Sequence, residues 1–129
     1  MTNKILTEIS LGELLDKISI LEIKLSKIKD KKKLIFIKKE YKILKNTKKK
    51  EKLKKKIIFY YKKLKIVNTR LWNIEDKIRK HEKDKKFNKN FITLARKVYK
   101  ENDQRSYIKL EINKLMKSNI VEMKSYSSY

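Results

Sequence analysis

Cysteine and proline are absent from this chain of 129 residues, and glycine occurs once, at Gly12. Without cysteine there is no disulfide and no thiolate metal site. The single histidine, His81, offers too few nitrogen donors for a zinc centre. Tight hairpins need proline and glycine, so their scarcity points away from sheets and towards helices. One glycine also excludes a glycine-rich phosphate loop and a nucleophile elbow. Long apolar runs are missing as well: the longest stretch without a charge is Asn90 to Ala95, far short of a membrane span. No continuous apolar signal region opens the chain, so a soluble cytoplasmic protein is expected. Arginine is scarce too. There are four, Arg70, Arg79, Arg96 and Arg105, all in the C-terminal half of a chain that otherwise uses lysine. An arginine kept against that bias suggests a need for a planar, two-pronged donor.

What is present is charge and aliphatic residues. The hydrophobic fraction of 40% argues against disorder, and the length suits one helical domain over 1–129. The net charge of +23 is uneven. Residues 27–65 hold 19 lysines against three acids, Asp30, Glu40 and Glu51. This lysine-rich arm is either a solvated helix surface or a basic face for RNA, DNA or anionic lipid. It carries no arginine and no nucleic-acid-binding motif.

Periodicity supplies the elements. Ser10-Leu11-Gly12-Glu13 reads as a capping box opening a first helix, and Leu11, Leu14, Ile18, Leu21, Leu25 and Ile28 form its apolar seam. Asp30 to Lys33 interrupts the seam. A second helix is expected over Leu34 to Leu44, with a turn at Asn46-Thr47. Leu53, Ile57, Tyr60, Leu64, Val67, Leu71, Ile74 and Ile78 sustain the longest seam, predicting a helix over 49–81. Asn88 reads as the cap of a fourth helix. In that helix the heptad carried on from Phe91, Leu94 and Val98 places Glu101 and Arg105 at core positions. Either the helix breaks at Asn102 and a fifth begins, or paired charges enter the core. The tail 118–129 is irregular. The expected fold is an all-α antiparallel helical bundle with a long coiled-coil-like hairpin, and exposed seam at the hairpin ends makes a homodimer an expectation.

Polar stripes flank the seams. On the third helix Asn68, Trp72, Glu75, Arg79 and Glu82 fall at spacings of 4, 3, 4 and 3, with Asp76 beside them. The first helix offers Glu13, Lys17, Ile20 and Lys24, with Asp16 alongside, and the last region Arg96, Asn102, Asp103, Arg105, Lys109 and Asn113. Stripes on facing helices are how bundles build sites. Two readings stay open: an interhelical ion network, or a ligand site whose chemistry is anion recognition. In the second, Arg79, Arg96 and Arg105 clamp phosphate or carboxylate, Trp72 stacks on a ring, and Glu75 and Asp76 orient the cations or bind hydroxyls. Glu13-x-x-Asp16 has the look of the magnesium-holding acidic pair of all-α nucleotide pyrophosphohydrolases. The second acidic motif such a site needs is missing, and Lys17 and Arg79 would repel the metal. No cofactor or metal is expected.

Several strings taken together resemble the DUF6165 family of small helical proteins. They are Ile9 to Lys24, Val67-Asn68 to Arg79, Phe91 to Tyr99, Asn102-Asp103-Gln104-Arg105, Ile108-Lys109 with Glu111-Ile112-Asn113, and Glu122-Met123-Lys124-Ser125-Tyr126. The likeness covers most of the chain outside the lysine-rich middle. It implies an association with glycosyltransferases and surface-polysaccharide genes, and so a ligand from nucleotide-sugar or glycan metabolism. The leading expectation is therefore an accessory protein, not an enzyme, binding an anionic small molecule (a sugar nucleotide or phosphosugar) or a partner protein through the polar stripes. The alternatives are a nucleic-acid-binding protein using 27–65, and a small all-α enzyme acting on a phosphorylated or carboxylated substrate with Glu75 or Asp76 as acid or base.

Overall fold

The computed structural model describes residues 3–128. Among them the chain forms four helices: α1 (Leu11–Lys27), α2 (Lys31–Lys49), α3 (Lys55–Lys83) and α4 (Lys89–Met116). The fold is an all-α bundle. Strong local stop and start signals set its boundaries. Ser10 accepts the Glu13 N–H, and Asn88 accepts that of Phe91. Asp30 takes the N–H groups of both Lys32 and Lys33, so α2 begins at Lys31, earlier than the apolar periodicity indicated. The expected turn at Asn46-Thr47 lies inside α2. There the Thr47 hydroxyl bonds back to the Ile43 carbonyl (3.2 Å) and the helix runs on to Lys49. The third helix consequently starts at Lys55 rather than at residue 49. No break occurs at Asn102: α4 is one continuous helix of 28 residues, about 42 Å long.

The core is built around α1. This helix packs against α2, α3 and α4, whereas the backbone of α2 comes close to that of α1 alone. Leu11, Leu14, Leu15 and Ile18 meet Ile57, Leu64, Val67 and Leu71 of α3 and Ile108 and Ile112 of α4. Tyr41 and Leu44 of α2 close the cluster from the other side. A helix contacted on three sides buries more than a single stripe. Leu15, Asp16, Ser19 and Ile23 are accordingly buried beside the expected seam residues. Because α1 is only 17 residues long, it covers one half of the α3–α4 pair. The remainder of that pair, from about residue 75 to residue 100, is mostly exposed.

Gly12 marks the tightest approach between helices. A Cβ there would stand 2.6 Å from the Lys109 carbonyl oxygen and 2.7 Å from Asn113 Oδ1. The same proximity lets the Gly12 N–H donate to Asn113 Oδ1 at 2.7 Å. At the C-terminus of α4, Lys117 adopts the left-handed conformation (φ 56°), and the Ser118 N–H returns to the Asn113 carbonyl. That turn places the Ser118 hydroxyl where it accepts the Leu11 N–H (3.3 Å). The first four amides of α1 are thus satisfied from within the chain: Leu11 by Ser118, Gly12 by Asn113, and Glu13 and Leu14 by Ser10.

Candidate functional site

The centre of the polar structure is Asp16, only 1% exposed although it is a carboxylate. A buried charge requires both an opposite charge and hydrogen bonds. Arg105 provides the charge in two-pronged form, with Nε donating to Oδ1 at 2.9 Å and Nη2 to Oδ2 at 2.5 Å. The Asn68 side-chain amide bridges from α3, donating to Asp16 Oδ1 (2.9 Å) and to the Ser19 hydroxyl (2.8 Å). Lys109 Nζ lies 3.8 Å from Asp16 Oδ2. Burial by itself would raise the Asp16 pKa. The hydrogen bonds from Arg105 and Asn68, together with the charges of Arg105 and Lys109, outweigh burial and hold it below the usual carboxylate value. The hydrogen bond to Asp16 in turn raises the Arg105 pKa against the effect of its own burial. Three helices are therefore joined through one ionised carboxylate.

The network continues to the surface. Lys109, buried but for 14% of its side chain, donates to Glu13 Oε2 at 2.7 Å and reaches Glu122 of the tail at 3.4 Å. Glu122 pairs with Lys124 at 2.7 Å. That hydrogen bond, with the charge of Lys109, lowers the Glu122 pKa. Above this layer opens a cavity of about 780 Å³ between the middle of α4 and the tail. One wall consists of Val98, Tyr99, Asn102, Asp103, Arg105, Ser106 and Lys109, with Glu13 of α1 at its edge. Glu122, Lys124, Tyr126 and Ser127 form the other. Carboxylates, ammonium groups, hydroxyls and two phenol rings all face one space. Among the described residues no three His, Asp or Glu side chains come together as a metal-ligand set.

The residues singled out from sequence divide in two. Glu13, Asn102, Asp103, Arg105 and Lys109 line the cavity, and Asn68 lies directly behind it, bonded to Asp16. Lys17 is exposed outside the lining, 3.9 Å from Glu13. Trp72 is half-buried on α3, and Glu75, Asp76, Arg79 and Arg96 are exposed on α3 and α4, all outside the cavity lining. The two charges at core positions of α4 are unequally met: Arg105 is hydrogen-bonded to Asp16, whereas Glu101 has only the charge of Arg70 at 3.7 Å, its buried Oε2 accepting no hydrogen bond.

The stripes place Asp16 alongside rather than at their centre and include Asn113, which holds the Gly12 amide, but they do not include Ser19, Glu122 or Lys124. The available signal was an aspartate enclosed by Leu14, Leu15 and Ile18, a position that requires a partner. A second, half-buried acid lies outside the stripes. Glu22 on α1 accepts hydrogen bonds from the Tyr41 hydroxyl of α2 (3.1 Å) and the Tyr61 hydroxyl of α3, with Lys65 at 3.8 Å. Burial and the bond to Glu22 push the Tyr61 pKa well above that of an ordinary phenol.

Fold and site together define a small helical bundle with an ion pair at its heart and an open polar cavity above it. The chain belongs to DUF6165, a family of unknown function, whose model matches residues 5–129. No curated protein and no solved structure matches it.

Proposed function

We propose that this protein is a non-catalytic binding protein whose cavity takes an anionic, hydroxyl-rich small molecule, a sugar phosphate or sugar nucleotide, in an accessory role in surface-polysaccharide synthesis. The observation that carries this reading is the lining of the cavity. Its volume of about 780 Å³ suits a small molecule. Lys124 and the outer face of Lys109 supply cations for a phosphate, the carboxylates and Asn102 suit sugar hydroxyls, and the Tyr99 and Tyr126 rings suit a sugar face. The charges beneath are already arranged, which lowers the cost of ordering them around a ligand. Binding is favoured over catalysis because the buried acid is held ionised by Arg105 and because Glu13 and Glu122 each rest on an ammonium group at 2.7 Å.

The contact ladder between α1 and α4, in which Leu11, Gly12, Glu13 and Asp16 meet Ser118, Asn113, Lys109 and Arg105 in turn, supports an antiparallel bundle. The exposed portion of α3 and α4 is read as the coiled-coil-like hairpin.

The test is thermal-shift and calorimetric titration with glucose 1-phosphate, UDP-glucose and inorganic phosphate. Lys124→Ala and Tyr126→Ala, both at exposed positions, serve as controls that leave the core intact. A sugar phosphate or sugar nucleotide should raise the midpoint in the wild type and lose that effect in both variants. Silence of the wild type towards every sugar phosphate and sugar nucleotide tried would overturn the reading.

A further inference from the structure

The lysine-rich arm has a second feature that charge alone does not describe. Helix α2 buries Ile37 and half-buries Leu34, Tyr41 and Leu44 against α1, and its backbone approaches no other helix. A helix held on one side would ordinarily be polar on the other. The outward face of α2 instead carries Phe36 at 74% exposure, Ile35 at 67% and Ile43 at 54%. Lys32, Phe36, Lys39 and Ile43 follow one another at spacings of 4, 3 and 4, and Ile35, Lys39 and Lys42 form a parallel row. Apolar side chains and lysines therefore alternate on a single surface. Over its whole length α2 has nine lysines and one acid, Glu40.

We propose that this outward face of α2 binds the surface of an anionic lipid bilayer, lying in the headgroup layer with Phe36 and Ile43 inserted and the lysines against lipid phosphates and carboxylates. Such a face combines what an interfacial helix requires: apolar groups to enter the acyl boundary, and long cationic side chains whose methylene stems follow them in while their heads stay wet. Point-charge lysines suit a diffuse anionic surface, where no single geometry must be matched. Nucleic acid is the less favoured occupant. Residues 27–65 contain no arginine to fork onto phosphates or bases, and isoleucine does not stack on a base. The mode is adsorption only, since no helix of the described residues is long and apolar enough to cross a membrane.

The experiment is co-sedimentation of the full chain with vesicles of phosphatidylcholine alone and of phosphatidylcholine mixed in equal parts with phosphatidylserine. The wild type should pellet with the anionic vesicles and remain in solution with the neutral ones. The Phe36→Ala, Ile43→Ala double variant, altered only at exposed side chains, should bind roughly tenfold more weakly. The Lys32→Gln, Lys39→Gln, Lys42→Gln variant should lose binding, whereas Lys80→Gln, Lys83→Gln, Lys86→Gln, with the same net charge, should keep it. Phe36→Trp should show an emission blue shift on adding anionic vesicles. Equal loss in the two lysine variants, or no blue shift together with unchanged binding of the Phe36/Ile43 double variant, would reduce the effect to bulk charge and overturn the proposal. So would tighter binding to a single-stranded oligonucleotide that ignores Phe36 and Ile43.

Discussion

Asp16 and Gly12 decide how this chain packs, and neither is large. Removing one partner of the Asp16–Arg105 pair leaves the other charge buried, so Arg105→Met should cost about 3–5 kcal/mol of stability in chemical denaturation. Adding Asp16→Asn to Arg105→Met should recover a measurable part of that loss, because the stranded carboxylate is gone. A double variant no more stable than the single one would show that the pair does not act as a unit. At Gly12, alanine would improve helix propensity by about 1 kcal/mol. Its Cβ, however, would press on a backbone oxygen 2.6 Å away, and backbone cannot swing aside as a side chain can. Overpacking of this kind costs roughly 1–3 kcal/mol, so Gly12→Ala should lower the melting temperature despite its propensity. The sequence offered Gly12 as a rarity and Asp16 as an acid within an apolar run. That the two lie on neighbouring turns of the α1 face that meets α4 depends on packing.

At the scale of elements, existence and type were legible and ends less so. The seams of α1 and α3 follow from period alone, and Ser10 and Asn88 are caps that sequence could name. The start of α2 is not marked by the apolar period, which Asp30 interrupts; its carboxylate satisfies two amides and begins the helix. Asn46 and Thr47 are turn formers by composition, yet α2 runs past them because Thr47 settles its hydroxyl on the preceding turn. Glu101 and Arg105 left the continuity of α4 open, since only the facing Arg70 and Asp16 make charges acceptable at those positions. One end carries strain that can be relieved. Lys117 holds φ at 56°, where a side chain costs energy and glycine does not. Lys117→Gly should therefore stabilise the protein by about 0.5–1 kcal/mol, read as a higher urea midpoint.

For the molecule as a whole, a net charge of +23 repels itself. Added salt up to about 0.15 M shortens the screening length to about 8 Å and should raise the melting temperature. The buried Asp16–Arg105 pair is screened far less than the exposed lysines, so the gain should persist in Arg105→Met. Acid acts in the opposite direction. The folded-state pKa of Asp16 lies below its unfolded value of about 3.9, so its contribution is complete above that value and is lost as pH falls through the folded one. The stability difference between the wild type and Asp16→Asn should stay constant above about pH 4 and close as pH falls below it. Tyr61 has a raised pKa in the folded state, so an unfolded chain ionises first and stability should fall above about pH 10.

The sequence by itself determined the helical class and the charge. No proline, one glycine and unbroken apolar periods leave the chain little else to form, and those are local properties of the backbone and its neighbours. The site was a matter for tertiary structure. The stripes on α3 and α4 look alike in sequence, but α1 is short and covers only one half of that pair. Asn68, Arg105 and Lys109 lie under it and join a network, while Glu75, Arg79 and Arg96 lie beyond its reach and remain in water. Which charges meet depends on where a third helix ends, and a periodic pattern does not carry that information.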